Sequence, residues 1–278
     1  MRTKFLSCIL ISILMTLLMS QSSVSADLAK TSGLLSHNTI YINTNAGFTG
    51  ANGVTGGTGT DTNPYIIEGW NITITNFPHP FTNWSDAFCI SFFETSEYVI
   101  IRNVSLSGGA SAIKLLNVTN VKIRDSYVNS TYNNEAMHIE SCTNIDIISN
   151  YIGGGGGGIS IAGSADVNIS GNYVTSGASR TKGAPYSMII SSLNWVYVAD
   201  NDFSHGGNVS AYSCDNATVK NNIWSDQGIF YYDTQPNQYG NSIPSNGNIL
   251  LVGIAVVAIG FISVGMVLFM RRKKNGRH

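Results

Sequence analysis

The sequence predicts an all-β fold, a parallel β-helix of about seven coils, with a signal helix before it and a transmembrane helix after it. The first observation is a repeat. The segments VIIRNVSL, VKIRDSYV, IDIISNYI, VNISGNYV, VYVADNDF and ATVKNNIW align so that Val99, Val121, Ile145, Val167, Val196 and Ala217 share one register. Two residues on come Ile101, Ile123, Ile147, Ile169, Val198 and Val219, and seven on come Leu106, Val128, Ile152, Val174, Phe203 and Trp224. The second is the period: successive starts lie 22, 24, 22, 29 and 21 residues apart. Apolar pairs at spacing two, separated by polar corners, are strands with one buried face, and coils this short bury their inward side chains only against the coils above and below. Leucine-rich repeats share the length but need a Leu-dominated consensus that this chain lacks. The third is the position five after each start, which reads Val104, Ser126, Asn150, Asn172, Asn201 and Asn222. Asn tolerates a left-handed corner and stacked amides bond from coil to coil, so an interior Asn ladder is expected there.

Taken in chain order, residues 1–26 read as a signal peptide: MRTK is basic, FLSCILISILMTLLM is apolar, and Val24 and Ala26 form a small-residue cleavage site. An uncleaved anchor helix is the alternative. Residues 27–64 are expected to form an N-terminal segment and cap, because the ends of a β-helix expose unpaired strand edges. Residues 65–233 hold the coils, whose preceding strands are marked by Ile113 and Leu115, Met137 and Ile139, Ile159 and Ile161, Met188 and Ile190, and Val209 and Ala211. The first repeat offers Ser91 and Phe93 in those places. IFYYDTQ supplies a last strand and cap, and residues 234–248 read as a polar stalk. Residues 249–270 carry no charge, and at about 1.5 Å per residue they span roughly 33 Å, enough to cross a bilayer core. The tail 271–278, RRKKNGRH, is basic and is expected in the cytoplasm, which places residues 27–248 outside. A sorting tail clipped and replaced by a lipid is the alternative.

Residues 27–248 carry eight Lys or Arg against sixteen Asp or Glu, a net −8 within a chain of formal charge −1. With so little to neutralise phosphates, a nucleic-acid partner is not expected. Of the cysteines left after the signal, Cys142 and Cys214 share a register three coils apart. At about 4.8 Å per coil that is roughly 14 Å, against a disulfide limit of about 7 Å, so they are not expected to pair.

The repeats resemble the right-handed parallel β-helix proteins of the pectin-lyase-like superfamily over residues 60–232, and GTGTDTNPYIIEGWNI resembles the entry to the helix in archaeal cell-surface β-helix proteins. More distantly the pattern is similar to the copper-handling NosD type. The resemblance implies a right-handed coil and a place among carbohydrate-binding proteins and sugar hydrolases, although such a fold hosts enzymes, adhesins and envelope parts alike. Polygalacturonases of this fold carry N-x-D, D-D, G-H-G and R-x-K in that order. Here DND at Asp200–Asp202 and SHGG at Ser204–Gly207 follow RTK at Arg180–Lys182, and the D-D pair is missing, so that chemistry is not expected. Copper needs soft or imidazole ligands, and His37, His79, His138 and His205 are widely spaced, so neither metal nor cofactor is expected.

Three outward groups remain as candidates. Lys114 and His138 fall on adjacent coils with Glu140 two residues past His138, a set that can bind a sugar or move protons, or simply form cross-strand pairs. Tyr127, Tyr151 and Tyr173 fall on three consecutive coils and can stack on sugar rings or on one another. Sequons for N-glycosylation occur at Asn71, Asn83, Asn103, Asn117, Asn129, Asn168, Asn208 and Asn216. The six glycines from Gly153 to Gly158 lie between the inward Ile152 and Ile159, with no helix start and no Asp, so they read as a low, mobile corner rather than a phosphate or calcium loop. The expectation is a cell-membrane, single-pass type I protein with an extracellular β-helix, non-enzymatic, binding carbohydrate or envelope glycans. A polysaccharide lyase, hydrolase or epimerase is one alternative, and a structural or adhesive envelope component is another.

Overall fold

The computed structural model describes residues 33–75, 87–131, 134–176, 186–226 and 228–241. The signal peptide, the transmembrane segment, the basic tail, His79, Asn83 and Arg180–Lys182 lie outside the described residues. What is described is all β, apart from two single 3₁₀ turns at Asn45–Gly47 and Gly50–Asn52.

Stacked strands form three sheets. The first holds Leu35–Ser36, Trp70–Ile74, Ser105–Gly108, Tyr127–Ser130, Tyr151–Gly154 and Tyr173–Val174. The second starts at Ile40–Ile42 and Phe88–Phe93, continues through Ser111–Leu116, Glu135–Glu140, Gly157–Ala162, Tyr186–Ser191 and Asn208–Tyr212, and ends at Ile229–Tyr232. The third runs from Tyr65–Glu68 and Val99–Arg102 through Thr119–Arg124, Thr143–Ile148, Ala165–Ser170, Asn194–Ala199 and Thr218–Lys220 to Asn237–Tyr239. All these neighbours pair in parallel, whereas Val54–Gly56 pairs antiparallel with Tyr65–Glu68 and covers the first edge of the third sheet. Successive strands of one sheet come from successive coils, which is the stacking of a parallel β-helix.

The repeat register is the pairing register. Val99 pairs with Val121, Val121 with Ile145, Ile145 with Val167, and Val167 with Val196. The residues two and seven after each start are buried from Ile101 and Leu106 through Val219 and Trp224. Each fully buried Ile or Leu contributes about 1.5–3 kcal/mol relative to exposure, so these columns are the core. The first repeat differs by one residue. Ile90 and Phe92 pair with Ile113 and Leu115, and Ser91 and Phe93 lie in register with Lys114 and Leu116 on the outward side. The cause is a corner one residue longer between Phe92 and Val99 than between Leu115 and Val121, which flips strand parity. Parallel pairing also begins before residue 65, with Ile40–Ile42 on Phe88–Phe93, and continues past residue 233, with Asn237–Tyr239 on Thr218–Lys220.

The corners are left-handed. Apart from Glu94 and Asp233, every described non-glycine residue with positive φ falls in one of three columns: four before a start, as Asn117 at 55° and Ser141 at 55°; one before, as Asn120 at 64° and Asn144 at 57°; or four after, as Asn103 at 47° and Ser149 at 55°. Asn, Asp, Ser and Gly dominate them because short polar side chains tolerate this backbone. Directly after the last column comes the Asn ladder. The Asn150, Asn172 and Asn201 amides donate to the carbonyls of Ile123, Ile147 and Ile169 one coil back, at 2.9, 2.8 and 2.9 Å. The backbone N–H of Asn150 donates to the Asn172 side-chain oxygen at 2.9 Å, and that of Asn172 to Asn201 at 3.0 Å. Asn222 and Asn241 extend the run.

Cys89, Cys142 and Cys214 are free and buried, and burial pushes the Cys89 thiol up to about 12. The Cys142 and Cys214 thiols donate to the carbonyls two residues back, of Glu140 and Tyr212, at 3.2 and 3.3 Å. They occupy the corner place that Ser164 fills with its hydroxyl on Ala162.

The glycine run is not a low corner. Gly153 and Gly154 end one strand, Gly157 and Gly158 begin the next, and only Gly155 and Gly156 make the bend. Space explains the composition. A Cβ on Gly157 would lie 2.5 Å from the Tyr186 ring, one on Gly158 would meet the Ser187 carbonyl, and one on Gly154 would meet the Gly157 carbonyl.

Candidate functional site

The outward face of the second sheet carries a cluster of charged and polar side chains. Its strands place Lys114 beside His138 by register, and strand alternation turns Glu140 to the same side as His138. The Lys114 amine lies 3.4 Å from Glu140 Oε2, and His138 Nε2 lies 3.5 Å from the same oxygen. The sequence candidates therefore meet. Two partners join them that alternation conceals: Glu135, whose Oε1 pairs with His138 Nδ1, and Tyr186, whose hydroxyl donates to Glu135 Oε2 at 3.3 Å. Glu135 and His138 differ by three residues, which puts them on opposite faces of a regular strand. They meet because Glu135 is the first residue of its strand. Tyr186 stands two coils from Glu135, with Gly157 between them in register. A side chain on Gly157 would occupy the Tyr186 ring position, so the glycine lets the phenol reach across one coil.

Burial and charge act together here. The Lys114 side chain is only 9% exposed, and Coulomb attraction to it, with its hydrogen bond, holds the Glu140 carboxyl below the usual range. For Glu135, burial favours the neutral acid, but hydrogen bonds from His138 and Tyr186 outweigh it and keep the pKa low. Burial and the Glu135 charge push the Tyr186 hydroxyl up.

Beside this cluster an open depression of about 500 Å³ is lined by Tyr41, Asn43, Phe93, Glu94, Lys114, Leu116 and Glu140. The Tyr41 and Phe93 rings are 5.5 Å apart and tilted. Phe93 lines the depression because the longer corner turns it outward, and Glu94 follows with φ of 54°, a rare backbone for Glu. Sequence reasoning missed Tyr41, Asn43 and Glu94; only the unequal corner lengths hinted at them. A smaller depression of about 220 Å³ on the third sheet includes Asp61, Tyr98, Lys122 and Asp146, where the Lys122 amine is already paired with Asp146 at 2.9 Å.

The tyrosines stack. Tyr127 to Tyr151 and Tyr151 to Tyr173 are 5.0 and 5.2 Å between centroids, at 15° and 24°, and His205 continues the column 5.5 Å from Tyr173. The two faces of Tyr151 are occupied by its neighbours, which is the cross-strand pairing outcome. The sequons are unequal. Asn71, Asn103 and Asn117 are exposed. Asn216 is exposed but donates its amide to Asn194 at 2.9 Å, and half-buried Asn168 donates its own to Asp146 at 2.9 Å. Asn129 and Asn208 are half-buried, and the enclosed Asn208 side-chain oxygen has no hydrogen-bond partner among the described residues. Among the described residues no group of three or more His, Cys, Asp or Glu could hold a metal ion, and no helix is long and apolar enough to cross a membrane.

Comparison with known proteins finds no matching family, no matching curated protein and no matching solved structure.

Proposed function

We propose that this chain is an extracellular carbohydrate-binding module, a right-handed β-helix of the pectin-lyase-like kind. It is held to the cell membrane in type I orientation by residues 249–270 after loss of residues 1–26. The observation that carries the binding reading is the depression on the second sheet. Two aromatic rings, Tyr41 and Phe93, sit beside Asn43, Glu94, Lys114 and Glu140. Ring faces take the apolar faces of a sugar, and convergent charged and amide groups take its hydroxyls. Since Lys114 is matched by Glu140 and Glu94 adds a further negative charge, the depression favours neutral glycans over acidic ones.

The test is calorimetric titration of the full chain in detergent with neutral hexasaccharides built from glucose, mannose or N-acetylglucosamine. Glu140→Gln and Tyr41→Ala should each weaken binding at least tenfold, a change worth about 1.4 kcal/mol. Unchanged affinity in both folded variants would sink the reading. A second, enzymatic reading is favoured by one observation: His138 lies between two carboxylates, one of them bonded to Tyr186, an arrangement able to relay a proton. It requires new reducing ends when the full chain is incubated with the same glycans, and their loss in Glu135→Gln.

A further inference from the structure

From the coil that starts at Val121 to the coil that starts at Ala217, the residue one before the start is left-handed, and the column reads Asn120, Asn144, Asp166, Trp195 and Asn216. Four of these are the residues that such a backbone favours. Trp195 is the exception: its φ is 59°, where a bulky side chain is a steric outlier. The asparagines of the column bond across coils, as when the Asn144 amide donates to Asn120 at 2.8 Å, and Trp195 interrupts that pattern. Packing does not account for it either. The residue is 61% exposed, and its indole N–H makes no hydrogen bond among the described residues. An unfavourable backbone kept for an exposed ring points to a contact outside the chain.

The surroundings select the class of partner. Asp166 and Asn216 flank Trp195 in the column, about 4.8 Å away per coil, and both are exposed, as are Asn194 and Asp215. Among the described residues, carboxylates and amides flank the ring. These four neighbours are all polar, so they offer neither the apolar core of a protein interface nor a cation to meet an anionic bilayer. A single exposed indole rimmed by acceptors and amides suits the apolar face of a sugar ring and its hydroxyls. We infer that Trp195, with Asp166 and Asn216, forms a second glycan contact at the corner between the second and third sheets. It lies four coils from Glu94, roughly 19 Å along the solenoid. This inference rests on the carbohydrate-binding reading above, but on a different set of residues.

The experiment compares the full chain in detergent with Trp195→Asn, Trp195→Phe and Glu140→Gln, by calorimetric titration with the same neutral hexasaccharides and by thermal unfolding. Asn suits the left-handed backbone, so Trp195→Asn should unfold at the same temperature or higher while the number of bound sugars falls from two to one. Trp195→Phe should keep two. Glu140→Gln should lose the other contact. If Trp195→Asn keeps two sugars, or lowers the unfolding temperature without changing binding, the Trp195 contact is overturned while the depression stands. If Glu140→Gln keeps two sugars and Trp195→Asn keeps one, the depression fails instead. A wild-type chain that binds none of the sugars overturns both.

Discussion

Gly157 shows how one missing side chain assembles a cluster. Tyr186 crosses it to reach Glu135, and Glu135 in turn pairs with His138. Gly157→Ala should displace the Tyr186 ring and destabilise the fold by about 1–3 kcal/mol, an overpacking cost, read as a shift in urea midpoint. The double variant Gly157→Ala with Tyr186→Ala should recover part of that loss, which a purely backbone effect would not allow. The same cluster sets an acid limit. Glu135 and Glu140 are both held below their ordinary pKa values in the folded state. Their contribution is therefore fully present above the unfolded value of about 4.3 and is lost as pH falls through the lower folded values. Stability measured by urea unfolding should drop between about pH 5 and pH 3, and Glu135→Gln should make that drop shallower.

At the scale of an element, the Asn ladder is a column of buried polar groups in which each amide satisfies the coil before it. Removing a rung leaves those partners without water to replace it. Asn172→Ala would orphan the Asn150 N–H and the Ile147 carbonyl, and at about 1–3 kcal/mol for each buried group the loss should be roughly 3 kcal/mol or more. The ladder also stops one rung early. Ser126 stands where the next Asn would be and meets the Val104 N–H with its hydroxyl at 3.3 Å. By the register of the other rungs, Ser126→Asn would place an amide against the Ile101 carbonyl, so a gain of about 1 kcal/mol is expected in thermal or urea unfolding. A loss would show that the first described coils are too tight for the amide.

For the whole molecule, stacking decides which surface is open to modification. Strand residues on a sheet face are partly covered by neighbours one coil above and one below, and the sequons at corners are the more exposed ones. Asn103 and Asn117 are corner residues and Asn71 is exposed, while Asn168 and Asn129 stand within sheet faces. Glycopeptide mapping after expression in a host that glycosylates should find Asn71, Asn103 and Asn117 occupied. Asn168, whose amide nitrogen is bonded to Asp146, should be empty or nearly so. Full occupancy of Asn168 would mean that the glycan is added before this sheet closes.

The inward columns from Val99 to Trp224, the Asn ladder and the spacing that keeps Cys142 from Cys214 were legible in the sequence, because each coil repeats one local pattern and burial enforces it. Lys114, His138 and Glu140 were legible as neighbours for the same reason. Tertiary structure alone decided what depends on unequal corners and on reach across coils. One extra corner residue made Ile90 and Phe92 inward and turned Phe93 toward Tyr41. Gly157, within the run of six glycines, became the passage for Tyr186, and Trp195 became an exposed ring on a left-handed backbone. The repeat specifies which residues face the core, since alternation is a property of the strand itself. Which outward groups meet depends on distant neighbours, as with Glu135 and Tyr186, 51 residues apart, and no local period records that.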